Sequence, residues 1–265
     1  VGLVLLIWLL WFGNHTIDTT EQAVVIENLP EAFSGLRIAL LTDLHGNSFG
    51  KDGARLLSAV EAAKPDLIAL CGDWVDDAAQ VEAATALAAA LAELAPTYYV
   101  TGNHEWACGA ARELKNSLSA AGVQVLADTF TVLERDGERL ILAGVDDPNG
   151  LAERVQPEEL ISAIHAEFGQ TPIILLSHRN DALARWSALG VELVLCGHGH
   201  GGVIRLPLVG GLFGAGRTLF PDYAAGLYRM GATQMVVSRG LGNNSGTLRL
   251  FNRPELSVIC LASTG

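Results

Sequence analysis

No cluster of lysine or arginine occurs anywhere along the chain: 17 basic residues are scattered among 29 acidic ones, giving a formal charge of −12 over 265 residues. Neutralising a nucleic-acid backbone needs grouped cations, so no nucleic-acid partner is expected and a nuclease is disfavoured. Cysteine is equally scarce and carries no pattern. Cys71, Cys108, Cys196 and Cys260 form no CxxC and no zinc-ribbon spacing, which removes both a disulfide framework and a thiolate metal site. Three of them, Cys71, Cys196 and Cys260, lie in apolar strand-like runs, where a free thiol behaves as a small hydrophobe. Internal repeats and low-complexity tracts are absent.

A run of roughly 20 apolar residues, enough to span a bilayer, is also missing. The stretch Val1 to Phe12, VGLVLLIWLLWF, is shorter, apolar throughout, and has tryptophans near its polar exit. A truncated transmembrane anchor is the leading reading, with the tryptophans in the interfacial belt. The hydrophobic region of a signal peptide comes second, because no small-residue cleavage pattern follows. A buried core helix comes third, because no face of the run is polar. The chain is therefore expected to be membrane-associated through residues 1–12, with a connector over 13–34, which contains one short β-like run at Ala23 to Glu27, and one folded domain over 35–265.

What the sequence does contain is a half-apolar, sparsely charged chain, long enough for one large α/β domain with both faces of its sheets covered. Leu36 to His45, LRIALLTDLH, reads as a buried strand that stops at Thr42-Asp43-Leu44-His45. In extended backbone, positions two apart face the same side, so Asp43 and His45 can converge on one ion beyond the strand end. Alone, Asp-x-His is an ordinary strand-to-helix turn, but four more strand ends carry similar groups. Leu67 to Cys71 runs into Gly72-Asp73, and Tyr98 to Thr101 into Gly102-Asn103-His104-Glu105. Ile173 to Ser177 ends at His178, and Leu193 to Cys196 ends in Gly197-His198-Gly199-His200.

Helical spacing marks the segments between them. Asp52 to Lys64 has its apolar stripe at Leu56, Leu57, Val60 and Ala63, and Ala79 to Ala95 has Leu87, Leu91 and Leu94. Further helices are expected at Ala107 to Ala121, Pro157 to Phe168 and Ala182 to Leu189. Asp136-Gly137 joins Thr131 to Glu134 and Arg139 to Ala143 in a hairpin. Short β-like runs close the chain at Gln234 to Ser238, Thr247 to Phe251 and Leu256 to Leu261. The expected fold class is α/β: two mixed β-sheets packed face to face with helices on the outside.

Five of the seven histidines lie in the strand-end turns; only His15 and His165 do not. Oxygen and imidazole donors without thiolate suit a hard or borderline divalent cation such as Mn, Fe, Zn, Co or Ni. Seven such donors around one bridging carboxylate suffice for two ions.

DLH, GD, GNHE, a strand-end His and GHGH, in this order, resemble the five motifs of the calcineurin-like metallophosphoesterase family, over Leu36 to about Leu261. The resemblance implies a four-layer αββα fold. It implies that Asp43, His45, Asp73 and His200 hold one metal, and that Asp73, Asn103, His178 and His198 hold a second, with Asp73 bridging. A hydroxide activated by both cations would attack phosphorus in line, and His104 would protonate the leaving group or stabilise transition-state charge. HGGVIRLP and SRGLG…RLF…RPE resemble a bacterial branch whose members often carry an N-terminal membrane segment. That branch is similar to phosphodiesterases and to enzymes cleaving the pyrophosphate of UDP-2,3-diacylglucosamine, which implies a phosphoester or a lipid-linked diphosphate as substrate. The alternative is a metal-stabilised binding module of the same fold without turnover; it predicts a missing ligand or acid, and none is missing.

The chain departs from the family pattern in two places. Gly199 stands where Thr is usual, which widens the accessible backbone between His198 and His200. Arg179 and Asn180 follow His178 where an acidic residue and Pro are usual, placing a cation and an amide near the second metal. Other residues carry two readings each. Glu105 orients His104 or caps the following helix. Asp146, Asp147 and Asn149 line the site or form a surface turn. Arg239 and Arg249 grip substrate phosphate or are ordinary exposed arginines, and Trp74 and Trp106 form an apolar wall or pack in the core.

Overall fold

The computed structural model describes residues 10–150, 155–206, 208–214, 218–243 and 248–264. Its strands are β1 (Asp18–Ile26), β2 (Arg37–Leu41), β3 (Leu67–Cys71), β4 (Thr97–Val100), β5 (Gln124–Val125), β6 (Thr129–Arg135) and β7 (Glu138–Gly144). They continue with β8 (Ile173–Leu176), β9 (Leu193–Cys196), β10 (Arg205–Leu206), β11 (Gly210–Gly211), β12 (Gly226–Met230), β13 (Thr233–Val237) and β14 (Glu255–Ser263). Two six-stranded mixed sheets result, in the orders β1-β14-β2-β3-β4-β5 and β12-β13-β9-β8-β7-β6. The inner strands of each run parallel, as expected where helices form the crossovers.

Alternation along each strand builds the layers. In β2, Ile38 and Leu40 face the second sheet while Ala39 and Leu41 face helices. In β9, Leu193 and Leu195 meet the first sheet, and Val194 and Cys196 turn to the opposite helices. Both faces of both sheets are therefore apolar, and the strands read as continuous hydrophobic runs. Helices Ala54–Ala63, Val81–Leu94 and Ala111–Ala120 cover the first sheet; Pro157–Phe168 and Leu183–Ala188 cover the second. The fold is the four-layer αββα arrangement, and every buried Leu or Ile between the sheets contributes about 1.5–3 kcal/mol of transfer free energy.

Several boundaries differ from expectation for local reasons. The helix expected over Ala107 to Ala121 is two pieces, Asn103–Ala107 and Ala111–Ala120, broken at Gly109 with φ 76°. The Asp136-Gly137 turn has positive φ at both residues, as a two-residue hairpin turn requires. The expected strand Thr247 to Phe251 does not form among its described residues: Thr247 lies outside them, and only Leu250 makes a β-bridge, to Ile204.

The segment read as a connector contributes a nine-residue edge strand. β1 pairs in parallel with β14 from Asp18↔Glu255 to Ile26↔Ser263, and Val24 and Ile26 enter the core between the sheets. Of the N-terminal apolar run, residues 1–9 lie outside the described residues, while 10–15 are helical. Among the described residues, no helix is long and apolar enough to cross a membrane.

Replacing Ile26, 1% exposed, with alanine is expected to lower unfolding free energy by about 2–5 kcal/mol in a urea titration. A side chain in a free connector would change it by no more than about 0.5 kcal/mol.

Candidate metal centre

The two sheets deliver their C-terminal ends to one rim, and the residues there follow a simple rule. Asp43, Asp73, Asp146, His178 and His198 each stand two positions beyond the last residue of β2, β3, β7, β8 and β9. The turns lock onto one another through backbone hydrogen bonds: Asp43 N–H donates to the Gly72 carbonyl at 3.0 Å, and His45 N–H to the Asp73 carbonyl at 2.9 Å. Gly72 is required here, since it adopts φ 78° and a Cβ would lie 2.5 Å from the Gly102 nitrogen. Asp43, His45, Asp73, His198 and His200 all have positive φ, between 46° and 64°. Such conformations cost about 1–3 kcal/mol each and persist where the surroundings over-determine them.

Seven side chains expected to be ligands converge. His45 Nε2 lies 3.1 Å from His200 Nε2, and His200 Nε2 lies 3.5 Å from Asp43 Oδ1. On the other side, His178 Nε2 lies 3.1 Å from Asp73 Oδ2, 3.2 Å from Asn103 Oδ1 and 3.1 Å from His198 Nδ1. Asp73 Oδ2 is common to both groups, since it is also 3.9 Å from His45 Nε2. Donors sharing a cation with bonds of about 2.1 Å stand about 3.0–3.4 Å apart, so the donor set fits divalent metal ions. Three overlapping triads, Asp43–His45–His200, His45–Asp73–His104 and Asp73–His178–His198, have their ligand atoms within 4.8 Å of one another.

Outer hydrogen bonds select which atom of the His178, His45 and His104 rings faces inward. His178 Nδ1 bonds the Cys71 carbonyl at 2.9 Å, leaving Nε2 for the centre. Thr42 Oγ1 lies 2.9 Å from Asp43 Oδ2 and 2.8 Å from the Cys71 carbonyl, its one proton shared between them, and His198 N–H donates to the Asp43 carboxylate at 3.1 Å. Asp76, present in the GDWVD turn but given no role by the sequence reading, is the main addition. Its Oδ1 takes His45 Nδ1 at 2.6 Å and His104 Nδ1 at 2.7 Å, fixing the orientation of both rings. The signal for it was a carboxylate three residues past Asp73.

Glu105 resolves in favour of capping. Buried completely, it accepts from the Gly102, Asp73 and Trp74 amides, and so holds the Asp73 turn from beneath while the helix start at Asn103 is satisfied. Arg249 is neither exposed nor available to phosphate: it is 1% exposed and donates to the Arg239 and Gly242 carbonyls and to Asn243 Oδ1, with Nη2 3.4 Å from His200 Nδ1. Arg239 pairs with Asp18 and Glu255. Trp74 is core, whereas Trp106 is half-buried and donates to Thr101 Oγ1 at 2.8 Å.

Asp146 and Asp147 form no surface turn. Asp146 is held by Thr101 and Lys115, and Asp147 grips Arg179 through both carboxylate oxygens, at 2.7 and 3.0 Å. The cation after His178 is thus neutralised by a buried acid at the end of β7. The two departures from the family pattern explain each other. Gly199 has an ordinary right-handed φ of −80°, so it is not there to loosen the backbone. A Cβ on it would sit 2.7 Å from the Asn180 amide nitrogen, which instead donates to the Tyr223 carbonyl.

Double-sheet strand ends bearing clustered Asp, Asn and His donors define a metallophosphoesterase, a hydrolase acting on phosphoesters. The chain belongs to this family: the model described as calcineurin-like phosphoesterase matches residues 36–202. A relative in Bacillus subtilis, the uncharacterized metallophosphoesterase YkuE, is 29% identical, over 94% of this chain and 87% of its own length. Phosphodiesterase YaeI of Escherichia coli is 33% identical, over 84% of this chain and 81% of its own. A Danio rerio transmembrane protein with a metallophosphoesterase domain is 30% identical over 91% of this chain, which spans 56% of that relative.

Before a cation binds, charge in the cluster is set by burial and mutual contact. Burial pushes His198 down to about 4 and His200 down to about 3, so both rings are neutral near pH 7. Burial also opposes charge on His178, but Asp73 and Asp43 outweigh it and push the ring up to about 10. For Asp73 the balance again favours charge: burial is overcome by His178, His45 and His104, which hold the carboxyl below the usual range. Ligating imidazole must be neutral, so cation uptake is expected to expel the His178 proton. Below about pH 10, Mn²⁺ affinity should therefore rise by about tenfold per pH unit for that one proton, measurable by calorimetry in buffers of different ionisation enthalpy. Uptake with no proton release would contradict the assignment.

Proposed function

We propose that this chain hydrolyses phosphodiesters with two divalent cations, one held by Asp43, His45, Asp73 and His200 and the other by Asp73, Asn103, His178 and His198. The observation that carries this reading is the position of Asp73 Oδ2, within 3.9 Å of His45 Nε2 and 3.1 Å of His178 Nε2, where one oxygen serves both donor sets. When bound, the cation pair supplies a water activated near neutral pH and neutralises charge on the transferring phosphoryl group. Mn, Fe, Zn, Co and Ni all suit the donors.

The chain's own contribution to chemistry beyond ligation falls to His104. Its ring is half-buried at the rim, with Nε2 3.9 Å from Asp73 Oδ2 and Nδ1 bonded to Asp76. That bond to Asp76 raises its pKa above the ordinary imidazole value. A protonated Nε2 facing the centre is what a general acid needs to protonate a departing alkoxide. Asp76 acts through this ring, holding its tautomer and keeping the proton on it.

Within this reading, a lipid-linked diphosphate at a membrane is the finer substrate class. Support comes from the apolar run Val1 to Phe12 and from the relative named as a transmembrane protein. The E. coli relative, named a phosphodiesterase, supports the diester chemistry. A binding module without turnover is opposed by the complete donor set and by the presence of His104.

His104→Ala is expected to reduce turnover of an alkyl phosphodiester, whose alkoxide needs the proton, by about 10²–10⁴-fold in Mn²⁺ while two metals per chain are retained, and to slow bis-p-nitrophenyl phosphate, whose p-nitrophenolate leaves unprotonated, far less. Two retained metals with no turnover by the unsubstituted chain on any phosphoester would favour the binding module. Asp76→Asn tests the positioning role separately. Removing the carboxylate lowers the pKa of His104, so the alkaline limb of the pH–rate profile, where the acid loses its proton, should move to lower pH. The accompanying loss should be about 10–100-fold. An unmoved limb would remove His104 as the acid.

A further inference from the structure

Twelve large hydrophobic side chains are exposed among the described residues, and seven of them fall in two short segments, 206–220 and 248–251. These segments are neighbours. Arg205 N–H donates to the Leu250 carbonyl at 3.0 Å, Leu250 N–H to the Val203 carbonyl at 3.3 Å, and Phe220 N–H to the Leu212 carbonyl at 3.0 Å. Leu208 is fully exposed, and Leu219, Phe220, Leu248 and Phe251 are 59–62% exposed. Contiguous apolar surface of this kind marks a contact with a partner or a bilayer rather than ordinary scatter.

Two observations favour the bilayer. Residues 201–220 and 248–251 contain no Asp or Glu, in a chain whose net charge is −12. The second concerns where the N-terminal run emerges. Asn14, at the end of helical residues 10–15, is clipped to this same segment: its amide donates to the Arg249 carbonyl at 3.0 Å and its carbonyl accepts Arg249 N–H at 2.8 Å. The nine residues before Leu10, VGLVLLIWL, carry no charge. The patch also borders the metal centre, because Asn252 donates to the His200 carbonyl at 2.7 Å and Phe213 N–H to the Gly202 carbonyl at 3.1 Å.

We propose that Leu208, Val209, Leu219, Phe220, Leu248 and Phe251 form a bilayer-docking face that seats the rim of the metal centre against a lipid surface. Apolar side chains entering the headgroup–acyl boundary stabilise such docking in proportion to the area they bury. The proposal extends the membrane reading above, on which it rests, and is independent of turnover.

Hydroxyl-radical footprinting of the full chain tests it residue by residue, with and without vesicles of phosphatidylcholine containing a minor fraction of phosphatidylglycerol. On vesicles, oxidation of Leu208, Val209, Phe220 and Phe251 should fall several-fold, while exposed Val155 and Met230 keep their reactivity. Vesicle-bound protein with these residues oxidised as fast as in buffer would show that the N-terminal run binds alone and would overturn the proposal. Failure to bind vesicles would overturn it too. Protection that grows with protein concentration in the absence of lipid would assign the face to a second copy instead. Bis-p-nitrophenyl phosphate turnover, measured in the same preparation, separates failure of the docking face from failure of the hydrolase reading.

Discussion

Everything at the rim depends on where one carboxylate is held. Asp73 sits in a left-handed conformation at the end of β3, and its Oδ2 stands between two groups of donors, each drawn from the strand ends of both sheets. Glu105 bonds its amide from beneath, and its Oδ1 accepts the His104 N–H at 2.9 Å. Burial pushes Glu105 up to about 7, with the Asp73 charge adding to that. A second carboxylate so close to Asp73 is tolerable because three backbone amides point at it. The sheets must therefore end level with each other, and the apolar layer between them fixes that alignment.

The part of the site that was legible in the sequence was legible because strand geometry is periodic. An apolar run that stops, followed two residues later by Asp or His, places a donor side chain at the sheet edge without knowledge of tertiary structure. Asp43, Asp73, His178 and His198 all obey this spacing. Asp76 does not, because it lies on a turn where a carboxylate is ordinary, and its two partners come from separate motifs. Pairings between distant strand ends were hidden for the same reason. Arg179 reads as a free cation until β7 brings Asp147 beside it, and Gly199 reads as a loosening until the Asn180 amide is seen in the space it leaves.

Burial of charge was the other blind spot. Arginine is read as exposed by default, yet Arg249 is enclosed, and burial pushes its guanidinium down to about 10. It earns that position by tying the carbonyls of residues 239 and 242 together beneath His200. β1 was missed in length because its first half, Asp18 to Gln22, is polar and alternates between half-buried and exposed, as an edge strand permits. Only the apolar half that enters the core carried a visible pattern.

The central claim is that two cations flank Asp73. Anomalous diffraction from crystals of the Mn²⁺-loaded protein tests it most directly. The account predicts two anomalous peaks roughly 3.5–4 Å apart, one beside His45 and His200 and the other beside His178 and His198, with Asp73 Oδ2 between them. A single peak, or peaks away from Asp73, would contradict it.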